Sequence, residues 1–76
     1  MRLTKSQLQF IINCDVEEMA NMLCQDFGMS LTKSFDTVYN SKVYSKLTDK
    51  RTGLYLQSSE YIYDYLLEEI QGKSFL

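Results

Sequence analysis

The sequence predicts an all-α bundle of four to five short helices, and three observations carry that expectation. Apolar residues recur at spacings of three and four rather than two. A residue able to cap a helix stands ahead of each such run. The 76 residues include no proline, so no position removes a backbone donor from a helix interior. A chain of this length forms a single domain, residues 1–76, and buries only about 60% of the surface its unfolded state exposes. Its margin of stability is narrow, and a partner or second copy would widen it.

The first run starts at Thr4. Thr4 and Gln7 have the form of a capping box, in which hydroxyl and amide satisfy free helix N–H groups reciprocally. Leu8, Ile11, Ile12, Met19, Leu23 and Phe27 then recur at helical spacing. Asp15 with Glu18 offers a second capping box, so residues 5–27 read either as one long helix or as two with a bend. Gly28 is the stop, because glycine accepts the left-handed conformation at a helix C-terminus.

Ser30 caps the next helix, with Leu31, Phe35, Val38 and Tyr39 expected on one face. Asn40–Ser41 is a stop and restart, and Val43, Tyr44 and Leu47 mark a short helix. "TDKRTG", residues 48–53, is a polar turn. "LYLQ", residues 54–57, has no second strand to pair with and reads as an extended lead-in. Ser58 or Ser59 caps the final helix, where Ile62, Tyr65, Leu66, Glu69 and Ile70 follow the repeat and Gly72 ends it.

The formal charge of −2 is unevenly distributed. Residues 1–29 carry Arg2 and Lys5 against Asp15, Glu17, Glu18 and Asp26. The middle, residues 30–53, carries Lys33, Lys42, Lys46, Lys50 and Arg51 against Asp36 and Asp49. The last third has Lys73 against Glu60, Asp64, Glu68 and Glu69. A basic middle between acidic ends lacks the clustered cationic excess of a nucleic-acid binder. Arg2 and Lys5 open like a signal peptide, but Gln7, Gln9 and Asn13 interrupt the apolar run that should follow. No segment has the length to cross a bilayer, and a soluble, cytoplasmic protein is expected. Cys14 and Cys24, ten apart on helical sequence, are too distant to bridge and read as buried, reduced thiols.

Catalysis finds little support. Histidine is absent, removing the commonest general base and metal ligand. Glu17–Glu18 and Glu68–Glu69 are adjacent, and neighbouring helical residues point about 100° apart, so neither pair clamps a proton or metal. The three glycines are stops and a turn, not a phosphate loop. No catalytic residue, cofactor or metal is assigned, and an enzyme is not expected.

The remaining signal is aromatic and acidic. Tyr61 and Tyr65 share a face of the final helix, Tyr63 points elsewhere, and Asp64 and Glu68 form an acidic stripe beside them. Tyrosine supplies large contact area at low entropic cost. Tyr55, Tyr61, Asp64, Tyr65 and Glu68 are therefore the candidate docking residues, with Lys50 and Arg51 of the polar turn as the second candidate. Those cations could meet an acidic patch, including the acidic helix of another copy.

Two resemblances bear on this. "LCQDFGMS", Leu23 to Ser30, resembles the first half of a helix-turn-helix through Cys24, Phe27, Gly28, Met29 and Ser30. That family wants buried aliphatic residues where this chain has Ser34 and Thr37, and Phe35 and Val38 each fall one place late. The would-be reading helix offers Lys33 as its cation, against Asp36, while phosphate contacts supply most DNA affinity. The longer run Phe27 to Ile70 resembles a group of small bacterial proteins of unknown function that share a "YxSxxYxxLxDxxTGLYxQSxxYxYxxL"-like pattern. Tyr39, Ser41, Tyr44, Leu47, Asp49, Thr52, Gly53, Leu54, Tyr55, Gln57, Ser58, Tyr61, Tyr63 and Leu66 carry it here. The resemblance implies a bacterial accessory or antitoxin-like component of a small multi-gene system. The expectation is a non-enzymatic protein–protein interaction module whose partner is another small bacterial protein or a second copy. A degenerate helix-turn-helix DNA-binding protein is the alternative, although nucleic acid is not the expected partner.

Overall fold

Helix α1 (Lys5–Phe27) runs unbroken for 23 residues, about 34 Å at 1.5 Å per residue. It sets the long axis of a molecule measuring 38 × 28 × 18 Å. A computed structural model describes residues 3–72, which fold as α1, α2 (Leu31–Tyr39), α3 (Lys42–Leu47), two 3₁₀ turns (Lys50–Thr52 and Leu54–Leu56) and α4 (Ser59–Ile70). The described residues contain no strand. The fold is all-α, with α1 packed chiefly against α2 and more lightly against α4.

The capping box at the start of α1 forms as read. The Gln7 N–H donates to Thr4 Oγ1 at 3.1 Å, and the Thr4 N–H donates to Gln7 Oε1 at 2.9 Å. The second box at Asp15 does not form, and α1 is one helix rather than two. Within a continuous helix the N–H groups near Asp15 already have backbone partners, so its carboxylate has none to cap. Continuity also keeps Ile12, Val16, Met19 and Leu23 in one buried row. Asp15 is carried inward beside them, 7% exposed, with Oδ2 unpartnered. Burial pushes its carboxyl up to about 6, and the nearby Glu18 carboxylate adds to the rise.

Gly28 closes α1 at φ 65°, its N–H bonded to the Cys24 carbonyl at 3.0 Å. Ser30 Oγ accepts from the Lys33 N–H at 3.2 Å and starts α2. The buried face of α2 differs from the expected one. Ser34 and Val38 are buried, Phe35 is half-buried, and Leu31 and Tyr39 are exposed. The reason is close approach: Ser34 Oγ lies 3.2 Å from Cys24 Sγ, and small residues at a crossing let two helices approach closely, leaving larger ones on the flanks. Both thiols are free, and each is half-buried rather than fully buried.

Ser41 works in two directions between α2 and α3. Its Oγ donates to the Val38 carbonyl at 2.6 Å and accepts the Tyr44 N–H at 3.1 Å. Gly53, at φ 67°, joins the two 3₁₀ turns. "LYLQ" is therefore coiled, not extended: the Leu56 and Gln57 N–H groups bond to the Gly53 and Leu54 carbonyls, each at 3.0 Å. Without a neighbouring strand, these i→i+3 bonds are how the segment satisfies its own backbone.

Ser58, not Ser59, caps α4, accepting the Tyr61 N–H at 3.2 Å. Ile62, Tyr63 and Leu66 carry the burial of α4 and meet Val38, Val43, Leu47 and the buried row of α1. Tyr65 is half-buried and Ile70, on the last turn of α4, is exposed. The tyrosine that points elsewhere, Tyr63, points inward. Its hydroxyl donates to Asp26 Oδ2 at 2.7 Å and ties α4 to the end of α1. Burial and that carboxylate hold the phenol well above its ordinary pKa.

Candidate docking groove

Helix α3 is six residues long, too short to hold itself in water. Its stability comes from the Ser41 cap, from Val43 and Leu47 in the core, and from α4. The Glu69 carboxylate accepts the Lys42 N–H at 2.8 Å and the Val43 N–H at 3.1 Å, filling two of the donors that a helix N-terminus leaves open. At the other end of α3, Lys46 lies beside Tyr61 and Tyr65. The two helices therefore run antiparallel, fixed in register by one carboxylate 27 residues away in sequence.

Between them and the 3₁₀ turns lies a groove of about 310 Å³. Val43 and Lys46 line it from α3, Thr52, Gly53 and Leu54 from the turns, and Gln57, Tyr61 and Tyr65 from the start of α4. Its walls combine apolar floor, amide and hydroxyl groups, one ammonium and two phenol rings. Thr52 fixes the turn side, its Oγ1 donating to the Lys46 carbonyl at 2.6 Å and the Asp49 carbonyl at 2.9 Å. The two rings are fixed by each other. Tyr61 and Tyr65 pack edge to face at 5.3 Å with hydroxyls 3.1 Å apart, a favoured aromatic geometry. The Tyr61 hydroxyl raises the Tyr65 pKa, with a smaller contribution from the Glu68 carboxylate.

The candidate docking residues fall into three groups. Tyr61 and Tyr65 line the groove, with Glu68 on the same flank of α4 and exposed Asp64 one step further round. Tyr55 is half-buried against the core and does not line the groove. Lys50 and Arg51 stand just outside, on the first 3₁₀ turn. Of these two, Arg51 is held by Asp49, with Nε to Oδ1 at 3.1 Å and Nη2 to Oδ2 at 3.0 Å. The Arg51 hydrogen bonds hold the Asp49 carboxyl below its usual range. Both cations are exposed, and the Arg51 side chain keeps 90% of its surface in solvent despite the ion pair.

Sequence reading did not single out Val43, Lys46, Leu54 and Gln57 as groove residues, and within the candidate turn 48–53 it named Lys50 and Arg51 where the groove takes Thr52 and Gly53. The i,i+4 placement of Lys42 and Lys46 was the available signal for one of them. Nothing local marks Glu69 as the cap of another helix. Among the described residues no group of three histidine, cysteine, aspartate or glutamate side chains could hold a metal. The neighbour of Cys24 Sγ is a serine hydroxyl rather than a base. No helix among the described residues is long and apolar enough to cross a membrane.

The helix, turn and helix of "LCQDFGMS" also exist as a corner: α1 ends at Gly28 and α2 begins after Ser30. The position expected to be aliphatic, Ser34, is buried, while Thr37 turns back on its own helix and donates to the Lys33 carbonyl at 2.8 Å. No family model, no curated protein and no solved structure matches the chain.

Proposed function

We propose that the chain is a non-enzymatic interaction module that docks another small protein through the α3–α4 groove and the adjoining face of α4. The observation that carries this reading is the Tyr61–Tyr65 pair, two rings packed together at the mouth of a groove of about 310 Å³ beside exposed Asp64 and half-buried Glu68. Rigid aromatic anchors next to a pocket are where binding energy concentrates in interfaces. The acidic stripe favours a partner that brings cationic side chains to Asp64 and Glu68 and an apolar one to the groove. A cytoplasmic bacterial accessory or antitoxin-like component, as the long tyrosine-rich pattern implies, fits a chain with this surface and no assigned chemistry. A tagged copy recovered from its host should retain one small protein in stoichiometric amount, and Tyr61→Ala should release it. A wild-type copy that recovers nothing defeats the reading.

DNA binding is the second reading, and the α1–α2 corner is what favours it. Of the charged residues of α2, Lys33 is the cation and Asp36 opposes it. Any binding should fall steeply with added salt and weaken on Lys33→Glu. A low-salt mobility shift with no retarded genomic fragment removes it.

A further inference from the structure

The first two turns of α1 hold an apolar row that the described residues leave partly or wholly uncovered. From Leu3 to Ile11 no residue is buried, and burial begins at Ile12. Phe10 is 68% exposed. Leu3, Ser6, Gln7, Phe10 and Ile11 line a shallow groove of about 400 Å³ along the helix. Leu3, Gln7, Phe10, Cys14 and Glu17 follow each other at steps of four, three, four and three, the spacing of one contact seam between paired helices. The Thr4–Gln7 capping box holds this end in helical form, and Leu8, which is not part of the row, packs partly against the core.

We propose that this row is covered by a second copy of the chain, with the two α1 helices antiparallel and Phe10 near the two-fold axis. The inference is independent of the groove on α3 and α4. The argument is electrostatic. A two-fold contact sets the same patch against itself, so a patch of one charge repels itself. The outer face of α4 carries Glu60, Asp64 and Glu68, and α3 with the turn that follows carries Lys42, Lys46, Lys50 and Arg51 against Asp49, a net positive patch. Residues 6–14 of α1 carry no acid, lysine or arginine.

Direction follows from the ends of the row. Glu17 lies seven residues after Phe10, and Leu3 seven before it. An antiparallel pair centred on Phe10 therefore brings each Glu17 beside the start of the partner helix. The first turn of α1 has no acidic residue of its own, and an anion beside a helix N-terminus is favourable. A parallel pair would instead set Glu17 against Glu17. The row is about 21 Å long, which makes a small contact, below the roughly 1,200 Å² of a standard interface. Dimerisation is therefore expected at high rather than trace concentration.

Sedimentation of the full chain across a concentration series tests the inference, with helicity checked on every sample. The wild type should double in mass as concentration rises. Phe10→Lys should remain a folded monomer, a weakening of at least about tenfold, worth about 1.4 kcal/mol. Glu17→Lys should weaken the dimer less, and Ser6→Leu should tighten it by extending the apolar row. Tyr61→Ala should leave it unchanged, so failure of the groove reading would be seen separately. A wild type that stays monomeric at its solubility limit overturns the inference, as does a Phe10→Lys variant that dimerises like the wild type. A monomeric wild type that loses a protein partner on Phe10→Lys would also overturn it, giving the row to that partner instead.

Discussion

The first two turns of α1 and the whole of α4 are both helical, but different forces keep them so. The start of α1 is held by two hydrogen bonds within four residues and has no fully buried side chain, Leu8 alone packing partly against the core. Helix α4 is held from a distance: Ile62 and Leu66 are fully buried, Tyr63 reaches Asp26, and Glu69 caps α3. The comparison separates two ways of presenting a surface. A row kept in shape by local capping can expose its apolar side chains without the fold depending on them. The tyrosines of α4 stand on a helix whose other face is core, so they are aimed by packing.

The largest expected effect falls on the buried side of this contrast. Leu23→Ala or Leu66→Ala should cost roughly 2–5 kcal/mol, read as a large fall in the denaturation midpoint. Phe10→Lys should change stability by less than about 0.5 kcal/mol under conditions where the chain is monomeric. Equal losses at the two sites would erase the distinction.

Asp15 sharpens it next. Between pH 3.8 and about 6 the folded chain holds a proton that the unfolded chain has released. Stability should therefore fall as pH rises through that window and level off above it. The full difference is on the order of 2–3 kcal/mol. Asp15→Leu, which removes the unpartnered buried carboxylate, should raise the melting temperature at pH 7.5 and flatten that dependence. A melting profile already flat from pH 4 to 7 in the wild type would contradict the buried placement.

Removing the long-range cap gives a smaller effect. Glu69→Ala leaves two α3 donors without their charged acceptor and should cost about 1.5–3 kcal/mol, with fluorescence of the groove tyrosines changing alongside. Gln7→Ala, at the locally held end, should cost about 1 kcal/mol or less and act on the first turns alone. Amide exchange that quickens equally in α3 for both variants would break the comparison.

What was legible in the sequence tracks these same distances. The capping box at Thr4, the stop at Gly28, the cap at Ser30 and the restart at Ser41 all act within a few residues, and all were readable. The all-α class followed from them. Features that depend on a distant partner were not. Ser34 is buried with Cys24 opposite, Tyr63 turns inward towards Asp26, and Ile70 stays exposed. Asp15 looked like a cap by its spacing to Glu18, yet a continuous helix left it nothing to cap. The groove was half legible. Tyr61 and Tyr65 follow from their spacing, whereas Lys46 joins them through the α3–α4 packing that Glu69 helps to fix, and Thr52 through its bond to the Lys46 carbonyl.

The most direct test of the docking account measures binding and melting on the same protein. Tyr61→Ala combined with Asp64→Lys should leave helicity and melting temperature close to wild type, because Asp64 is exposed and Tyr61 is 44% exposed. The same variant should lose the partner recovered with the wild-type chain, seen by calorimetric titration with that purified partner. Undiminished binding in a folded double variant would contradict the account and leave the face of α4 as solvated surface.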